Sequence, residues 1–417
     1  MEPNVTFDRT IVTVESGNEV HVLVELTAPA APVNDRPPLD VVLVLDRSGS
    51  MHGAPLEGVI AATTQLLRLL GPHDRIGVVA FDNTAELVLG LDHHNADTAS
   101  LAVRRIRPGG STNLSAGWLK GLELLQTSLL ESGRRPEALA RIVVLTDGRA
   151  NCGVTNPDEL TAMIAGGTGT QVTTTTIGFG ERFDETLLSR LADAGAGNDY
   201  WCAGADNAPE IFNDEFEGLA SVVAQNLSVE IRTTDNVVDL GILDEHPVTF
   251  IDGGAQVALG DAYGSEQRRV VARLALSPTR LPGALPLGEI VLRWAEVGGT
   301  YALHTTTVPI GIGVSTDPDA PDPDADPKVT EHVMVLTAAA QQREALELID
   351  RGDLERAAEQ FTLAADLLAA TGGDPDEIAE LRRDVERLRR QDWDRTSSKR
   401  QWSSMRQNLK GRKRRYD

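Results

Sequence analysis

Residues 41–51 read VVLVLDRSGSM, and this stretch decides the fold. Five apolar residues run without a polar break up to Asp46, and small polar residues follow at once. A continuous apolar run is typical of a strand that is buried on both faces of a parallel sheet. In sheets of this kind, ligands bind beyond the carboxyl ends of the strands. The stretch therefore predicts a mostly parallel sheet with a ligand-binding edge that begins at Asp46.

The surrounding sequence alternates apolar runs with helical patterns, as expected for a sheet flanked by helices. This alternation predicts an α/β domain over residues 39–225. The predicted strands are 41–46, 75–81, 140–147 and 171–180. The predicted helices are 55–70, 97–106, 114–132, 157–165, 183–193 and 206–224.

Two more segments rich in small oxygen ligands occur at turns of this domain. GSTN (110–113) precedes a long predicted helix, and TDG (146–148) follows a predicted strand. Carboxylates and hydroxyls without His or Cys suit a hard cation such as magnesium or manganese. The alternate spacing of Asp46, Ser48 and Ser50 lets a turn point three oxygens in one direction. Each segment alone is also typical of a helix cap, a turn or a loop, so the metal hypothesis rests on their combination.

DRSGSM (46–51), GGSTN (109–113) and TDG (146–148), in this order, resemble the metal-ion-dependent adhesion site of a von Willebrand factor type A (vWA) domain. The resemblance covers roughly residues 39–224 and implies a Rossmann-like fold. It also implies that one divalent ion is bound, Mg²⁺ in the first instance, with Mn²⁺ and Ca²⁺ as alternatives. The implied ligands are the hydroxyls of Ser48, Ser50 and Thr112, with the carboxylates of Asp46 and Asp147 acting directly or through water.

The same resemblance implies a protein partner, because in this family a Glu or Asp side chain of the partner commonly completes the coordination of the ion. Four functions follow as hypotheses. The first is non-enzymatic, Mg²⁺-dependent protein binding, as an adhesion, scaffold or adaptor protein. The second is an adaptor for an AAA+ ATPase of the MoxR or chelatase kind. The third is a metal-dependent hydrolase at the same site, although no common catalytic motif occurs in the sequence. The fourth is polyanion binding through the C-terminal tail.

Composition restricts the partners of this chain of 417 residues. It holds 39 Lys and Arg against 62 Asp and Glu, for a net charge of -23. Such a surface repels nucleic acid and anionic lipid, and no apolar stretch is long enough to span a membrane. The exception is the tail 395–417, which is either a polyanion-binding segment or a disordered tail that solubilises the chain or folds back on its acidic body. Its nine basic residues are Arg395, Lys399, Arg400, Arg406, Lys410, Arg412, Lys413, Arg414 and Arg415.

The rest of the chain predicts further domains around the α/β domain, in a multi-domain arrangement of α/β, all-β and α parts. Short β-rich runs over 226–314 predict a β-sandwich. The runs 9–15 and 19–27 resemble a hairpin, which we expect to complete that sandwich, so that the vWA domain is inserted in it. This order resembles bacterial relatives of inter-alpha-trypsin inhibitor heavy chains and of calcium-activated chloride channel regulators. The N-terminal part, residues 1–38, ends in a Pro-rich linker.

Beyond the sandwich, Pro and Asp alternate over 315–328, which predicts a stiff acidic linker with only a superficial likeness to a calcium loop. Residues 329–392 predict a three-helix appendage that contains one hairpin similar to a tetratricopeptide repeat. Asp353 and Asp374 occupy predicted N-cap positions. The tail 393–417 follows.

A histidine pair and two cysteines are the other possible sites in the sequence. His93 and His94 could bind a transition metal, but the sequence offers no further ligands and a solvated pair is the expectation. Cys152 and Cys202 form no disulfide framework, and the sequence leaves open whether they pair. The opening residues lack the features of a secretory signal. Together with the low cysteine content, this predicts a cytoplasmic protein.

Overall fold

The computed structural model describes residues 1–15, 18–31, 36–131, 138–168, 172–180, 183–202, 204, 208–297 and 302–409. The chain divides into two compact units. We call residues 30–225 and 295–302 the central unit, and residues 1–29, 226–294 and 303–417 the flanking unit. Within the described ranges, no helix combines the length and the apolar character needed to cross a membrane.

The strands in chain order are β1 (Pro3–Phe7), β2 (Ile11–Thr13), β3 (Glu19–Thr27), β4 (Leu39–Asp46), β5 (Arg75–Phe81), β6 (Ala85–Asp92), β7 (Leu139–Thr146), β8 (Val172–Phe179), β9 (Ala196–Cys202), β10 (Val222–Thr233), β11 (Val237–Ile242), β12 (Val248–Ile251), β13 (Gly254–Tyr263), β14 (Gln267–Leu276), β15 (Gly283–Glu296) and β16 (Leu303–Ser315). The helices are α1 (Ala54–Leu69), α2 (Ala96–Val103), α3 (Leu114–Glu131), α4 (Pro157–Thr168), α5 (Glu185–Ala194), α6 (Ala208–Ala220), α7 (Pro327–Asp350), α8 (Leu354–Ala370), α9 (Pro375–Arg389) and α10 (Arg395–Leu409).

The central unit is built on one six-stranded sheet in the order β6-β5-β4-β7-β8-β9. Neighbouring strands from β5 to β9 pair in parallel, and β6 is an antiparallel edge strand. Strand β4 is buried along its whole length, as expected for a strand covered on both faces. This confirms the mostly parallel sheet that was predicted from the apolar run 41–46. It also confirms the Rossmann-like α/β fold that the resemblance implied.

Helix α3 packs closely on this sheet and thereby fixes the loop that precedes it. Trp118 lies in the same core cluster as Val42 and Val44, and its indole nitrogen donates to the hydroxyl of Thr174 at 3.0 Å. A Cβ atom added at Gly121 would lie 2.9 Å from Val44, so the close approach requires glycine there. The loop 109–113 is consequently held at the carboxyl edge of the sheet.

Several details of the central domain differ from the prediction, among them the additional strand β9 at one edge of the sheet. The edge strand β6 was not predicted, because only one of its faces is covered and its residues are mostly exposed or half-buried. The helix predicted over 206–224 spans Ala208–Ala220 instead, and β10 begins at Val222. The hydroxyl of Ser221 donates to the carbonyl of Gly218 at 2.8 Å, which closes the last turn of the helix.

The flanking unit contains two sheets made of strands that are distant in the sequence. One has the order β1-β3-β14-β11 and the other the order β12-β13-β10-β15-β16-β2. The hairpin predicted from the runs 9–15 and 19–27 is wrong, because their strands lie in different sheets. Strand β3 pairs with β1 and β14, whereas β2 pairs in parallel with β16.

Helices α7 to α10 belong to the flanking unit, and α7 and α10 share a core with its four-stranded sheet. Leu336 of α7 and Met405 of α10 lie in one cluster with Leu23 of β3. The N-caps predicted at Asp353 and Asp374 are confirmed, since their carboxylates accept from the backbone amides of Arg356 and Asp376.

The first part of the basic tail is a helix, whereas a disordered tail was one of the alternatives that the sequence left open. Residues 395–409 form α10, in which Arg406 is buried and donates to Glu245 at 3.3 Å. Arg400 donates to Glu380 at 2.6 Å. Two of its cations are therefore paired with acidic groups of the same unit. Residues 410–417, which carry five of the nine basic residues, lie outside the described residues.

The Pro/Asp segment between β16 and α7 is attached to the start of the chain. The carboxylate of Asp322 accepts from the backbone amides of Thr10 and Ile11, at 2.6 and 3.0 Å. The segment predicted as a stiff spacer is therefore anchored within the flanking unit.

Candidate metal centre

The candidate site lies at the carboxyl edge of the central sheet, where three loops meet. Asp46 ends β4, and Ser48 and Ser50 lie in the turn that follows it. Thr112 lies in the loop before α3, and Asp147 follows β7. The first two loops are joined by hydrogen bonds between their backbones. The amide of Gly49 donates to the carbonyl of Gly110 at 2.9 Å, and the amide of Gly109 donates to the carbonyl of Arg47 at 2.6 Å.

The side-chain oxygens of these loops form a connected group. The hydroxyls of Ser48 and Ser50 are 3.1 Å apart, and the Ser50 hydroxyl donates to Asp147 Oδ1 at 2.7 Å. A Cβ atom added at Gly148 would lie 3.2 Å from the Thr112 hydroxyl and 3.6 Å from that of Ser50. Because residue 148 is glycine, a space remains open between the hydroxyls of Thr112 and Ser50, which belong to two different loops.

Asp46 is the most enclosed member of the group and is fully buried. Its Oδ1 accepts from the Ser48 amide at 2.7 Å, and its Oδ2 accepts from the Thr146 hydroxyl at 2.5 Å. Burial raises the pKa of Asp46 to about 6, although the hydrogen bonds from Thr146 and Ser48 oppose this rise. The negative charge of Asp147 adds to it. A nearby cation would favour the ionised form of both carboxylates.

Two supporting residues were not singled out as site residues from the sequence. Thr146 holds Asp46 in place, and it belongs to the TDG segment, so the sequence did carry a signal for it. Asn151 holds the Thr112 loop: its side chain accepts from the Thr112 amide at 2.8 Å, and its own amide donates to the Thr112 carbonyl at 3.1 Å. No sequence pattern marks Asn151, because its role depends on a contact between two loops.

Arg47 lies within the first loop, yet carboxylates outside the group balance its charge. Its guanidinium donates to Asp82 at 3.2 Å and to Glu86 at 2.7 Å. Glu86 belongs to the edge strand β6, so the unpredicted strand contributes to the wall of the site. The arginine therefore braces the loop and leaves the two carboxylates of the group, Asp46 and Asp147, uncompensated by it.

The donor set fits a hard divalent ion. It consists of hydroxyl and carboxylate oxygens, which suit Mg²⁺, Mn²⁺ or Ca²⁺ better than softer metals. In the part of the chain that the structure describes, no group of three or more His, Cys, Asp or Glu side chains is arranged to hold a metal ion. The proposed site has only two carboxylates, and its other three ligands are hydroxyls. It is therefore not a group of that kind.

The other sequence candidates are placed differently. The ring nitrogens of His93 and His94 face the backbone carbonyls of Asp74 and Gly90, at 3.4 and 2.8 Å. Cys152 and Cys202 are both free thiols. Burial raises the pKa of the Cys202 thiol to about 11.

Comparison with known proteins identifies the domain that contains this group. The sequence model of the von Willebrand factor type A domain matches residues 40–213. The uncharacterized protein sll0103 of Synechocystis is 26% identical over 354 residues, an alignment that covers 81% of each chain. Inter-alpha-trypsin inhibitor heavy chain H3 of Pongo abelii is 26% identical over 261 residues, which are 60% of this chain but only 28% of the heavy chain.

Among solved structures, a von Willebrand factor type A protein from Catenulispora acidiphila is similar in fold, with a TM-score of 0.74 and 20% identity. The match covers 91% of this chain and 89% of that one. The sequence model and the shared fold agree on the identity of the central domain. Residues 40–213 therefore form a von Willebrand factor type A domain.

Proposed function

We propose that this chain is a non-enzymatic, Mg²⁺-dependent protein-binding protein, in which the ion captures a carboxylate of a protein partner. Domains of the vWA type are typically adhesion or protein-interaction modules. The observation that carries the proposal is the connected group of Ser48, Ser50 and Asp147 oxygens, which lies beside the buried carboxylate of Asp46. Mn²⁺ and Ca²⁺ are alternatives with the same ligand preference.

Each residue of the group has a defined part in this proposal. Ser48, Ser50 and Thr112 would supply neutral hydroxyl oxygens. Asp46 and Asp147 would supply two negative charges, directly or through water. When bound, a divalent ion would keep a net positive charge in such a site and would attract an anionic ligand.

The charge of the whole chain favours an ion-mediated contact with an acidic group. With a net charge of -23, the surface repels a carboxylate almost everywhere. A carboxylate of a partner would then bind only where a local positive charge exceeds this repulsion. The ion would provide such a point, which makes binding both metal-dependent and specific in location.

Isothermal titration of Mg²⁺ and Mn²⁺ into metal-free full-length protein tests the ion site. We expect one binding site in the wild type and its loss in the Ser48→Ala/Ser50→Ala double variant. Circular dichroism should show that both proteins are equally folded, because these side chains lie in loops at the rim of the sheet. A wild-type protein that binds neither ion, or a double variant that binds as tightly, would contradict the proposal.

A hydrolase at the same ion is disfavoured by the surroundings of the group. Metal-dependent hydrolases commonly use a general base in addition to the metal ligands, although a metal-bound hydroxide can also attack by itself. No third carboxylate, imidazole or thiol joins Asp46 and Asp147 in the described ranges. Metal-dependent turnover of a generic phosphate or peptide substrate that was lost in Asp46→Ala would reverse this choice.

An AAA+ ATPase of the MoxR or chelatase kind is one class of partner that would fit the proposal, with an acidic side chain that reaches the ion. We further interpret the two sheets of the flanking unit as one β-sandwich into which the vWA domain is inserted. The pairing of β3 with β14 supports this interpretation, because it joins strands from before and after the inserted domain. Residues 1–38, 226–314 and 329–392 would then form a scaffold that carries the binding domain.

A further inference from the structure

A groove of about 900 Å³ runs along α1 in the central unit. One wall is α1 itself, and the other is the segment 104–108 that follows α2. Leu56, Ile60 and Ile106 give the groove an apolar lining. Its size is that of a typical ligand cleft and is sufficient for several side chains of a peptide.

The groove ends beside the candidate metal centre. His52 and Gly53 line it and directly follow the turn that contains Ser48 and Ser50. On the other wall, Pro108 directly precedes Gly109, whose amide donates to the carbonyl of Arg47. The two walls are thus continuous with the two loops that hold four of the five proposed ligands, Asp46, Ser48, Ser50 and Thr112.

Positive charge is concentrated along the groove. Arg68, Arg104 and Arg107 line it, against Glu57 as the one carboxylate in its lining. Arg104 and Arg107 are exposed, and in the part of the chain that the structure describes no carboxylate lies within ion-pair distance of either. Arg107 donates only to the backbone carbonyls of Arg104 and Ile106, at 2.8 and 2.9 Å. Arg68 is 3.9 Å from Asp97, and both side chains are largely exposed.

Unpaired arginines are unexpected in a chain with 62 acidic residues against 39 basic ones. Most of the other arginines that the structure describes in the central unit are in ion pairs, such as Arg36 with Asp74 and Arg75 with Asp40. Arginine side chains that are left without a partner beside an apolar groove are suited to bind an acidic ligand that also carries an apolar group.

We infer that this groove binds the segment of the partner that flanks its metal-bound carboxylate: an acidic peptide with an apolar side chain for the Leu56–Ile60–Ile106 surface and further Asp or Glu residues for Arg104 and Arg107. The inference rests on the proposed function and names the chemistry of the partner. A polyanion such as nucleic acid has no apolar side chain for this surface.

The test uses two libraries of twelve-residue peptides with random flanks, one with Asp fixed at the centre and one with Asn. Full-length protein selects from both libraries in Mg²⁺ and in EDTA. We expect peptides from the Asp library to be selected in Mg²⁺, with Leu, Ile or Phe and additional acidic residues on one side of the fixed Asp. The selected peptides should bind the Arg104→Glu/Arg107→Glu variant about tenfold more weakly, because two charge-assisted contacts become repulsive.

Arg351→Glu/Arg356→Glu provides the matched control. It makes the same change in charge at exposed arginines of the flanking unit, and we expect it to bind the selected peptides as the wild type does. Equal weakening in both double variants would indicate a general charge effect and would overturn the inference.

The outcomes separate the groove from the ion site. Mg²⁺-dependent selection of Asp without any preference in the flanks would overturn the groove inference and leave the proposed function standing. A flank preference that persists in EDTA and with fixed Asn, but is lost in Arg104→Glu/Arg107→Glu, would support the groove and contradict the role of the ion. No selection under any condition would overturn both.

Discussion

The central and flanking units bury their strands in different ways. In the central unit, β4, β7 and β8 are neighbours whose residues are almost all buried. In the flanking unit, β3 pairs with β14, so that Glu25 lies opposite Arg269, 244 residues further along the chain. Strand β16 alternates exposed and half-buried residues over most of its length. Neighbouring buried strands bring the residues that follow them together at one edge of a sheet, whereas a sheet of strands that are distant in the sequence mainly joins parts of the chain.

Individual ion pairs of the two units also differ in how deeply they are buried. The central unit contains a fully buried ion pair: Arg141 donates to Glu215 at 3.3 Å, and both side chains are 1% exposed. Thr175, Asn198 and Tyr200 also donate to the Glu215 carboxylate. The flanking unit has pairs such as Arg273 with Asp239, whose side chains are 39% and 59% exposed. Substitutions at these two kinds of site should therefore differ strongly in effect.

The largest effect is expected for Glu215→Ala. It leaves the Arg141 guanidinium buried without its counter-ion, which typically costs about 3–5 kcal/mol. Urea unfolding should show the loss, and hydrogen exchange measured by mass spectrometry should locate it in the central unit. Glu215→Gln retains an acceptor for Arg141 and should lie between the alanine variant and the wild type. A loss below about 1 kcal/mol in Glu215→Ala would place this pair in the class of surface ion pairs.

A pH-dependent effect is expected in the flanking unit at Asp244, which is buried and accepts from the Val271 amide at 2.6 Å. Burial raises the pKa of Asp244 to about 7. The folded state therefore retains a proton that the unfolded state loses near its ordinary pKa, so stability falls as pH rises from about 4 to about 7.

Asp244→Asn cannot ionise, and we expect it to remove this fall. Above pH 7 the variant should be more stable than the wild type by up to about 4 kcal/mol. The free energy of unfolding of both proteins, measured in urea from pH 4 to pH 8, checks this. Parallel pH profiles for the two proteins would show that Asp244 does not titrate as stated.

The smallest effect is expected for Asp239→Ala, which removes the exposed partner of Arg273. Because water screens both groups, the loss should be within about 1 kcal/mol and should shrink further in high salt. Urea unfolding at low and high salt measures it. A loss of stability as large as that of Glu215→Ala would contradict the expected difference between buried and exposed ion pairs.

The sequence was most informative where structure is local. The run ending at Asp46 predicted a buried parallel strand, and the vWA domain inferred from the three polar segments is confirmed by the family match and the fold. That success has a physical basis, because a strand buried on both faces must be apolar throughout and its carboxyl end must carry the polar chemistry.

The sequence was least informative where structure depends on distant contacts. The pairing of β2 with β16 cannot be inferred from the runs 9–15 and 19–27, which by themselves suggest a hairpin. Helix α10 is polar, and two of its cations pair with Glu245 and Glu380, so its pattern did not predict a packed helix. Asn151 supports Thr112 through a contact between two loops. The ligand roles of Asp46, Ser48, Ser50, Thr112 and Asp147 remain predictions.

The most direct test of the central claim is urea unfolding of the wild type and of Ser48→Ala/Ser50→Ala, each in Mg²⁺ and in EDTA, with hydrogen exchange to assign each transition to a unit. An ion bound only by the folded vWA domain should stabilise the central unit of the wild type by about 2.7 kcal/mol at a Mg²⁺ concentration one hundred times its Kd. The flanking unit and the double variant should not respond. An unchanged central unit in the wild type, or an equal response in the double variant, would contradict the assignment of the metal centre.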